Sequence, residues 1–311
     1  AYVGGINFNY LKYDHVTQGK RQAGSTFKPF LYILAMQEGF TPCDEVPNSP
    51  VIFYINDTVY SPKSNSRPED LNKMKTLKWG LATSENNISA FLVSRFKPKP
   101  IADIAHKMGI TSYIDPVPSM IYGTSDVTVA EMVSAYATFV NKGEHTKPVY
   151  VLRIEDKSGN ILTEFKPERM ESINEKTAYL MLELMQGVVD FGTAIRLRYR
   201  YNFTAQIAGK TGTTQNHSDG WFIGMTPKLV AGCWVGAEDR SVHFDVMSMG
   251  QGATMALPVW ALFMQRVYAD PSLGITQADK FEMPPDMPPL QNCREYAEKT
   301  TDGIYIWENE W

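Results

Sequence analysis

A serine and a lysine lie three residues apart near the start of a predicted helix. Residues 25–28 read Ser-Thr-Phe-Lys. Because positions i and i+3 share one face of a helix, the amine of Lys28 can reach the hydroxyl of Ser25. A serine alone is a poor nucleophile, and an unprotonated lysine beside it can remove its proton. The spacing therefore favours a serine nucleophile with a lysine base, although a serine that only caps a core helix fits the same residues.

Flanking residues place Ser25 in the first turn of that helix. Gly24 permits a tight entry, and Pro29 is tolerated only near a helix start. The helix dipole at this end favours the negative charge that develops when the serine attacks a carbonyl. The Ser-x-x-Lys pattern recurs at residues 94–97, but late in a predicted helix that a proline ends. We interpret that second copy as coincidental.

A second polar pair, Ser84 and Asn86, lies between two predicted helices at residues 77–82 and 88–96. A hydroxyl and a carboxamide two residues apart on a loop can point into one cleft, where the hydroxyl relays a proton and the amide holds a peptide group. Simple capping of the helix that begins near Ile88 is the alternative. Two further Ser-x-Asn copies, at residues 158–160 and 172–174, occupy a hairpin turn and a helix start.

The third motif is Lys-Thr-Gly-Thr at residues 210–213, which we predict to follow directly on a strand at residues 204–209. The Lys210 amine and the Thr211 and Thr213 hydroxyls can hold a substrate carboxylate. Gly212 leaves out a side chain that would block the approach of a ligand. The backbone N–H groups of Thr213 and Ser25 can form an oxyanion hole. A polar strand end that runs into a glycine turn is the alternative interpretation.

The elements that must position these motifs indicate an α+β fold. Apolar spacing predicts helices from Ser25 to about Gly39 and at residues 128–141, 175–189 and 254–268. Strands are predicted at the C-terminal end at residues 204–209, 221–225 and 229–237, and a strand end at residues 1–5. The short connection at residues 226–228 makes the last two strands antiparallel. Residues 149–155 and 161–165 are a predicted hairpin, and residues 41–75 a long irregular excursion of the kind that is often functional. Strands at both ends with helices between them are typical of an α+β domain.

Composition excludes several other classes of protein. The chain has 311 residues, with 30 basic and 34 acidic side chains and a net charge of −4. Nucleic acid is not expected as the main ligand, because neutralising phosphates needs clustered lysine and arginine. Three scattered cysteines (Cys43, Cys233 and Cys293) are too few for a disulfide framework or a zinc site, and the five histidines never fall at ligand spacing. Neither a metal enzyme nor a thiol enzyme is predicted.

Together and in this order, the three motifs resemble the penicillin-binding transpeptidase family, and specifically the transpeptidase domain of bifunctional class A penicillin-binding proteins. The resemblance covers about residues 4–264. It extends to the stretches at residues 22–30, 127–139, 192–214 and 219–227. Ala23 stands where proline is frequent in the family.

This resemblance implies a fold and a set of roles. The fold would be a sheet of about five mostly antiparallel strands flanked by helices. Ser25 would attack the penultimate D-alanine of a stem peptide that ends in D-Ala-D-Ala, with Lys28 as general base. Ser84 and Lys210 would carry the proton to the leaving amine. The resemblance further implies that Asn86 holds the donor amide, that Thr211, Gly212 and Thr213 bind the terminal carboxylate, and that no metal or organic cofactor is needed.

The resemblance also implies a cellular setting and a domain organisation. An amine of a second stem peptide would take the acyl group, and β-lactam antibiotics would acylate the same serine. We expect the transpeptidase domain at residues 1–274 and a proline-containing linker or frayed tail at residues 275–311. Class A proteins carry a membrane helix and a glycosyltransferase domain upstream, so the chain is expected to be a fragment whose sheet needs a further strand from elsewhere. Other cell-wall synthesis proteins are expected partners, at the outer face of the cytoplasmic membrane of a bacterium.

Three alternative functions share the motifs. A serine β-lactamase must also activate water, and no Glu-x-x-Leu-Asn lies between Asn86 and Lys210 to do so. A D,D-carboxypeptidase would differ only in using water as the acceptor. A β-lactam sensor would be acylated without turning over.

Overall fold

The computed structural model of the chain describes residues 1–7, 9–55, 58–288, 290 and 293. Ten α-helices lie in these parts of the chain: α1 Lys28–Gln37, α2 Leu77–Ala82, α3 Asn86–Phe96, α4 Pro98–Lys107, α5 Val129–Val140, α6 Glu175–Asp190, α7 Arg196–Tyr199, α8 Met247–Gly250, α9 Gly252–Met255 and α10 Leu257–Ala269. Short 3-10 helices span Gly24–Phe27, Pro68–Asp70, Pro118–Tyr122, Gln215–His217 and Pro271–Leu273.

Thirteen strands lie in the same described parts. They are β1 Arg21–Gln22, β2 Glu45–Pro47, β3 Phe53–Ile55, β4 Thr58–Tyr60, β5 Met74–Thr76, β6 Asp126–Val127, β7 Glu144–Thr146, β8 Arg153–Glu155, β9 Ile161–Glu164, β10 Arg169–Glu171, β11 Ala208–Thr213, β12 Asp219–Met225 and β13 Val230–Gly236. Ten of them form isolated antiparallel pairs, and the last three form the central sheet.

The central sheet has the order β11-β12-β13, and both pairs are antiparallel. β12 is buried along its whole length, and its side chains alternate between two hydrophobic cores. Trp221 and Ile223 belong to the larger core, which α1, α5 and α6 also supply. Phe222 faces the other way and packs on Trp260 of α10, with the ring centroids 5.3 Å apart. Helices therefore cover both faces of the sheet.

The α+β class is confirmed, and several elements agree with the sequence prediction. The predicted helix at residues 128–141 is α5, which begins with a reciprocal capping box between Thr128 and Glu131. β12 and β13 pair through a tight connection, as their spacing predicts. The exposed hairpin of β8 and β9 is also present.

The strand predicted at residues 204–209 is wrong in its position. β11 runs from Ala208 to Thr213, so the Lys-Thr-Gly-Thr motif lies inside the strand rather than after it. Residues 204 and 205 are held differently, because their backbone N–H groups donate to the side-chain oxygen of Gln277.

Sheet size is a second difference from the expectation. The described residues give the central sheet three strands, not about five, and residues 1–5 form no strand. The backbone carbonyl of Gly4 instead accepts a hydrogen bond from the N–H of His15. Within the described chain, β13 pairs on one side only. A strand supplied from elsewhere stays a prediction.

The excursion at residues 41–75 is more ordered than expected. It contains β2 to β5 and a 3-10 turn, and β2 pairs with β5 at its two ends. This pairing brings the two ends of the excursion together. The middle of the excursion contacts the rest of the domain through residues 64 and 66.

The segment that follows α10, which we interpreted as a linker or tail, contacts the domain at several points. Phe281 is buried in the larger core, and Asp279 forms an ion pair with Lys228 at 2.8 Å. A disulfide joins Cys293 to Cys43, 250 residues earlier in the chain, which the scattered cysteine pattern did not predict. The boundary near residue 274 stays a prediction, and the tail beyond residue 293 lies outside the described residues. No helix among the described residues is long and apolar enough to cross a bilayer.

Candidate active site

Ser25 lies in a 3-10 turn that leads directly into α1, close to the predicted position. The backbone segments at Gly123 and Thr213 lie on either side of this turn. The N–H of Gly24 donates to the carbonyl of Gly123 at 3.2 Å, and a Cβ on Gly24 would lie 2.8 Å from the carbonyl oxygen of Thr213. Ser25 is half-buried, and its hydroxyl has no hydrogen-bond partner among the described residues. The nucleophile candidate is therefore fixed in place while its oxygen stays available.

Lys28 is completely buried on the first turn of α1. Its amine donates to the carboxamide oxygen of Asn86 at 2.7 Å and to the backbone carbonyl of Ser84, and lies 3.3 Å from the hydroxyl of Ser84. The side chain thus turns toward the Ser-x-Asn loop rather than bonding to Ser25. Burial lowers the pKa of Lys28 to about 7, while the nearby carboxylate of Glu85 raises it.

Lys210 approaches the same hydroxyl from the sheet. It is fully buried within β11, and its amine lies 2.9 Å from Ser84 Oγ and 3.1 Å from the carbonyl of Thr211. Burial and the positive charge of Lys28 hold the pKa of Lys210 well below its usual range. One serine hydroxyl therefore bridges two buried amines, each from a different part of the chain.

The backbone of Ser84 explains how its side chain reaches this position. Ser84 has a φ of 61°, in the left-handed region that serine rarely adopts. The cap of α3 is Glu85, whose side chain accepts from the N–H of Asn87, so the capping interpretation of Ser84 and Asn86 is wrong. Because Glu85 caps α3, the side chains of Ser84 and Asn86 are available to contact Lys28.

Asn86 connects the lysine to the excursion. Its amide nitrogen donates to the carbonyl of Lys63 at 2.8 Å and lies 3.3 Å from the side-chain oxygen of Asn65. Asn65 in turn donates to the carbonyl of Ser84. Asn65 was missed in the sequence, where only the unusual length of the excursion signalled a functional loop.

Glu85 fastens the excursion to the same loop. This buried carboxylate accepts hydrogen bonds from the hydroxyls of Ser64 at 2.8 Å and Ser66 at 2.6 Å, besides the N–H of Asn87. These contacts flank Asn65 on both sides and hold it against Asn86.

The remaining residues of the third motif, at positions 211–213, contact three different segments of the chain. The Thr211 hydroxyl lies 2.6 Å from that of Thr193, and the Thr213 hydroxyl accepts from the N–H of Gly252 at 3.0 Å. A Cβ on Gly212 would meet the carbonyl of Ala23 at 2.7 Å and the Thr26 side chain at 2.9 Å. Gly212 is thus needed where β11 packs against the Ser25 turn, whereas the prediction attributed it to ligand approach.

A buried ion pair between Arg21 and Asp219 lies next to the C-terminal end of β11. Asp219 lies 2.7 Å from Arg21, which precedes the Ser25 turn, and also accepts from Ser218, Thr214 and Trp234. Burial raises the pKa of Asp219, but the hydrogen bonds from Arg21, Ser218 and Trp234, together with the positive charge of Arg21, hold it below its usual range. Neither Arg21 nor Asp219 was singled out in the sequence, because their contact spans 198 positions.

The chemistry open to this arrangement is acyl transfer through a serine. Hydrogen bonds bring together the side chains of four residues from four elements: Lys28 of α1, Ser84 of the α2–α3 loop, Asn86 at the start of α3 and Lys210 of β11. The turn that carries Ser25 directly precedes Lys28 and packs against β11. Among the described residues no group of histidine, cysteine, aspartate and glutamate side chains has the arrangement of a metal site.

Comparison with known proteins identifies the family. Residues 6–238 match the family model described as the penicillin binding protein transpeptidase domain. Because this match covers most of the chain, the chain belongs to the penicillin-binding protein transpeptidase family, as the motifs predicted.

Individual relatives agree with this assignment. The chain is similar to penicillin-binding protein 2D of Bacillus subtilis, with 35% identity over 85% of this chain and 38% of the relative. It is 30% identical to penicillin-binding protein 1A of Aquifex aeolicus over 92% of this chain and 38% of that protein. The chain therefore spans less than half the length of these relatives.

Solved structures show the same fold. Penicillin-binding protein 1A from Haemophilus influenzae superposes with a TM-score of 0.80 and 24% identity, covering 91% of this chain and 47% of that one. The PonA1 protein from Mycobacterium tuberculosis in complex with penicillin V gives a TM-score of 0.72 and 23% identity, covering 93% of this chain and 80% of that one.

Proposed function

We propose that this chain is a peptidoglycan D,D-transpeptidase domain that crosslinks stem peptides through an acyl-enzyme on Ser25. Family membership supports acyl transfer as the reaction class. The observation that carries the proposal is the Ser84 hydroxyl, which lies within 3.3 Å of Lys28 and 2.9 Å of Lys210 next to the Ser25 turn.

Lys28 would act as the general base for acylation. When its amine is neutral, its two N–H bonds serve the two acceptors that it contacts most closely, the carbonyl of Ser84 and the amide oxygen of Asn86. The lone pair is then left to take the proton of Ser25. A pKa of about 7 makes a large fraction of Lys28 neutral at physiological pH.

In the proposed acylation, Ser25 Oγ bonds to the carbonyl carbon of the penultimate D-alanine as its proton passes to Lys28. The backbone N–H groups of Ser25 and Thr213 would hold the oxyanion. The carbon–nitrogen bond then breaks, and the departing D-alanine amine receives a proton from the Ser84 hydroxyl. Ser84 takes a replacement proton from the Lys28 ammonium, while Lys210 holds the same Ser84 oxygen in place. An acyl ester on Ser25 and free D-alanine result.

Crosslinking completes the proposed cycle. An amine of a second stem peptide attacks the ester carbonyl, and the carbon–oxygen bond to Ser25 breaks. The proton of the amine passes through the same relay to Ser25 Oγ. A β-lactam would acylate Ser25 in the same way, but its amine stays attached after ring opening. No metal or organic cofactor takes part in any step.

Substrate binding would use the third motif and the excursion. Asn86 would hold the donor peptide amide, and Thr211 and Thr213 would bind the terminal carboxylate, with Gly212 letting β11 lie against the Ser25 turn. The proposed setting is the outer face of the cytoplasmic membrane of a bacterium, where stem peptides are found. The Cys43–Cys293 disulfide supports this, because disulfides persist in oxidising compartments. A glycosyltransferase domain upstream and other cell-wall synthesis proteins are proposed partners.

The test is the intact mass of the protein after incubation with benzylpenicillin, followed by peptide mapping. We expect a lasting adduct on Ser25 that is absent from Ser25→Ala. Ser94→Ala is the matched control, because Ser94 belongs to the second Ser-x-x-Lys copy, where it donates to the carbonyl of Phe91 while Lys97 is exposed. This variant should be acylated like the parent.

Other outcomes would contradict the proposal. Consumption of benzylpenicillin with rapid return to the unmodified mass would indicate a β-lactamase. An adduct elsewhere, or none, would remove Ser25 as the nucleophile. With a D-Ala-D-Ala donor and an amine acceptor, a crosslinked product supports transpeptidation, whereas release of D-alanine alone would indicate a carboxypeptidase.

A further inference from the structure

A cleft of about 320 Å³ opens beside the active site. The excursion and the α2–α3 region supply one part of its lining, and the segments at residues 192–199 and 251–253 supply the rest. Three of its lining residues also contact the site: Asn65 contacts Asn86, Glu85 lies between Ser84 and Asn86, and the Thr193 hydroxyl contacts that of Thr211. The cleft therefore lies beside the residues that are proposed to bind the donor peptide.

Both acidic side chains in the lining are already engaged. Asp70 is almost completely buried and forms an ion pair with Lys75 at 2.7 Å. Glu85 accepts from two hydroxyls and one backbone N–H. Neither carboxylate is thus left to bind a cation in the cleft.

The side chain of Arg196 is different. Arg196 donates through Nη1 to the carbonyl of Ala253 at 3.2 Å and to the hydroxyl of Thr254 at 2.9 Å. Both acceptors are neutral, and no described carboxylate pairs with this guanidinium. Nε and Nη2 make no hydrogen bond to any described residue. These two nitrogens form the edge of a guanidinium that binds a carboxylate through two parallel hydrogen bonds.

The two contacts of Nη1 also hold the guanidinium in a defined position. Less side-chain freedom is then lost when a ligand binds. A second arginine, Arg67, lines the cleft from the excursion, and Trp79, Ile195 and Tyr199 add apolar surface. Such a lining suits an aliphatic side chain that ends in an anion.

We propose that this cleft is a subsite for a side-chain carboxylate of the peptide bound in the active site, with Arg196 as its specificity-determining residue. This proposal rests on the proposed transpeptidase function. The preferred substrates are stem peptides in which a residue before D-Ala-D-Ala carries a free carboxylate on its side chain, rather than an amide. The carboxylate belongs to either the donor or the acceptor peptide, and the experiment distinguishes the two.

The test uses synthetic peptides that differ only in one side-chain carboxylate or carboxamide. In the donor arm, kcat/KM for D-alanine release is measured. In the acceptor arm, the rate of crosslinking is measured with a constant donor. We expect the carboxylate peptide to be preferred in one arm by about tenfold to a hundredfold, the size expected for hydrogen bonds to a charged group.

Three variants assign that preference to Arg196. Arg196→Gln should bring the ratio of the two peptides close to one, and Arg196→Lys, which keeps the charge but not the two-pronged edge, should retain part of it. Arg200→Gln is the matched control, because Arg200 is exposed on the same segment and outside the cleft, and it should keep the full preference. Thermal unfolding verifies that each variant is folded.

Binding separates this proposal from the proposed function. Equilibrium affinities of the same peptides are measured on Ser25→Ala, with and without Arg196→Gln, so that no turnover is needed. A carboxylate preference that Arg196→Gln removes supports the subsite even if no variant crosslinks peptides, which would contradict the proposed function alone. Equal affinity for both peptides, or a preference that survives Arg196→Gln, would overturn the subsite.

Discussion

Two buried lysines within reach of one serine hydroxyl cannot both keep their charge at neutral pH. Burial disfavours the ammonium form of each, and the charge of Lys28 lowers the pKa of Lys210 further. Lys28 is the better base near neutrality because Glu85 offsets part of its loss of hydration. A single buried carboxylate thus tunes the base while it also anchors the excursion through Ser64 and Ser66.

Acylation by benzylpenicillin should therefore depend on pH in a specific way. The neutral amine of Lys28 is the active form, so the rate rises with pH through a midpoint near its pKa of about 7 and then levels off. In Glu85→Gln the carboxylate that raises this pKa is gone, and the midpoint should move to lower pH. Stopped-flow acylation rates across the pH range measure both midpoints.

Glu69→Gln is the control for that experiment. Glu69 is an exposed acid of the same excursion, and its removal changes the net charge equally. The control should leave the midpoint where it is. A midpoint that moves upward in Glu85→Gln, or does not move, would show that Glu85 does not act on Lys28.

At the scale of elements, the site depends on how closely the Ser25 turn approaches the sheet. Gly24 has a φ of +56° and lies between Gly123 and Thr213. On the facing strand, Gly212 lies against the backbone carbonyl of Ala23. Because Gly24 in the turn and Gly212 in β11 have no Cβ atom, the turn and the strand can approach each other closely. This contact places Ser25 next to β11, the strand that carries Lys210.

Gly24→Ala should slow acylation by at least tenfold and destabilise the protein. Its Cβ would meet the backbone of Thr213 at 2.8 Å, so the turn must move away from β11. Gly39→Ala is the matched control, because Gly39 also has a positive φ of +90° but nothing within 4 Å of the added Cβ. It should lose only about 1 kcal/mol of unfolding free energy from backbone strain. Acylation rates and chemical denaturation measure the two effects, and equal acylation rates in both variants would contradict the idea.

At the scale of the whole molecule, one disulfide connects regions that are remote in the chain. Cys43 lies at the start of the excursion, and Cys293 follows the segment that packs along the domain after α10. Together with Phe281 in the larger core, this crosslink fastens the C-terminal segment to the domain. It also closes a loop of great length, which restricts the unfolded chain.

Removing this disulfide should lower the free energy of unfolding by about 2–4 kcal/mol. Denaturant titrations with and without reductant compare the parent with the double variant Cys43→Ser and Cys293→Ser. The parent should lose stability under reductant, and the double variant should not respond. Cys233→Ser, which removes the free thiol, should keep the full response. A parent that is insensitive to reductant would argue against the bond.

The sequence by itself determined the features that depend on local pattern. The start of α1 near Pro29, the position of α5 and the β12–β13 hairpin follow from periodicity and turn residues over a few positions. Motif order was enough to predict the family, because several short matches occur together.

Only the tertiary structure decided how the motifs act together. Ser84 and Lys210 are 126 positions apart, and no local pattern states that their side chains meet. The position of the third motif inside β11 depends on pairing with β12, and the value of Gly212 depends on a turn some 190 positions earlier. Asn65, Arg196 and the Cys43–Cys293 bond were likewise invisible, because contacts between distant segments arise from packing of the whole chain rather than from residue type or spacing.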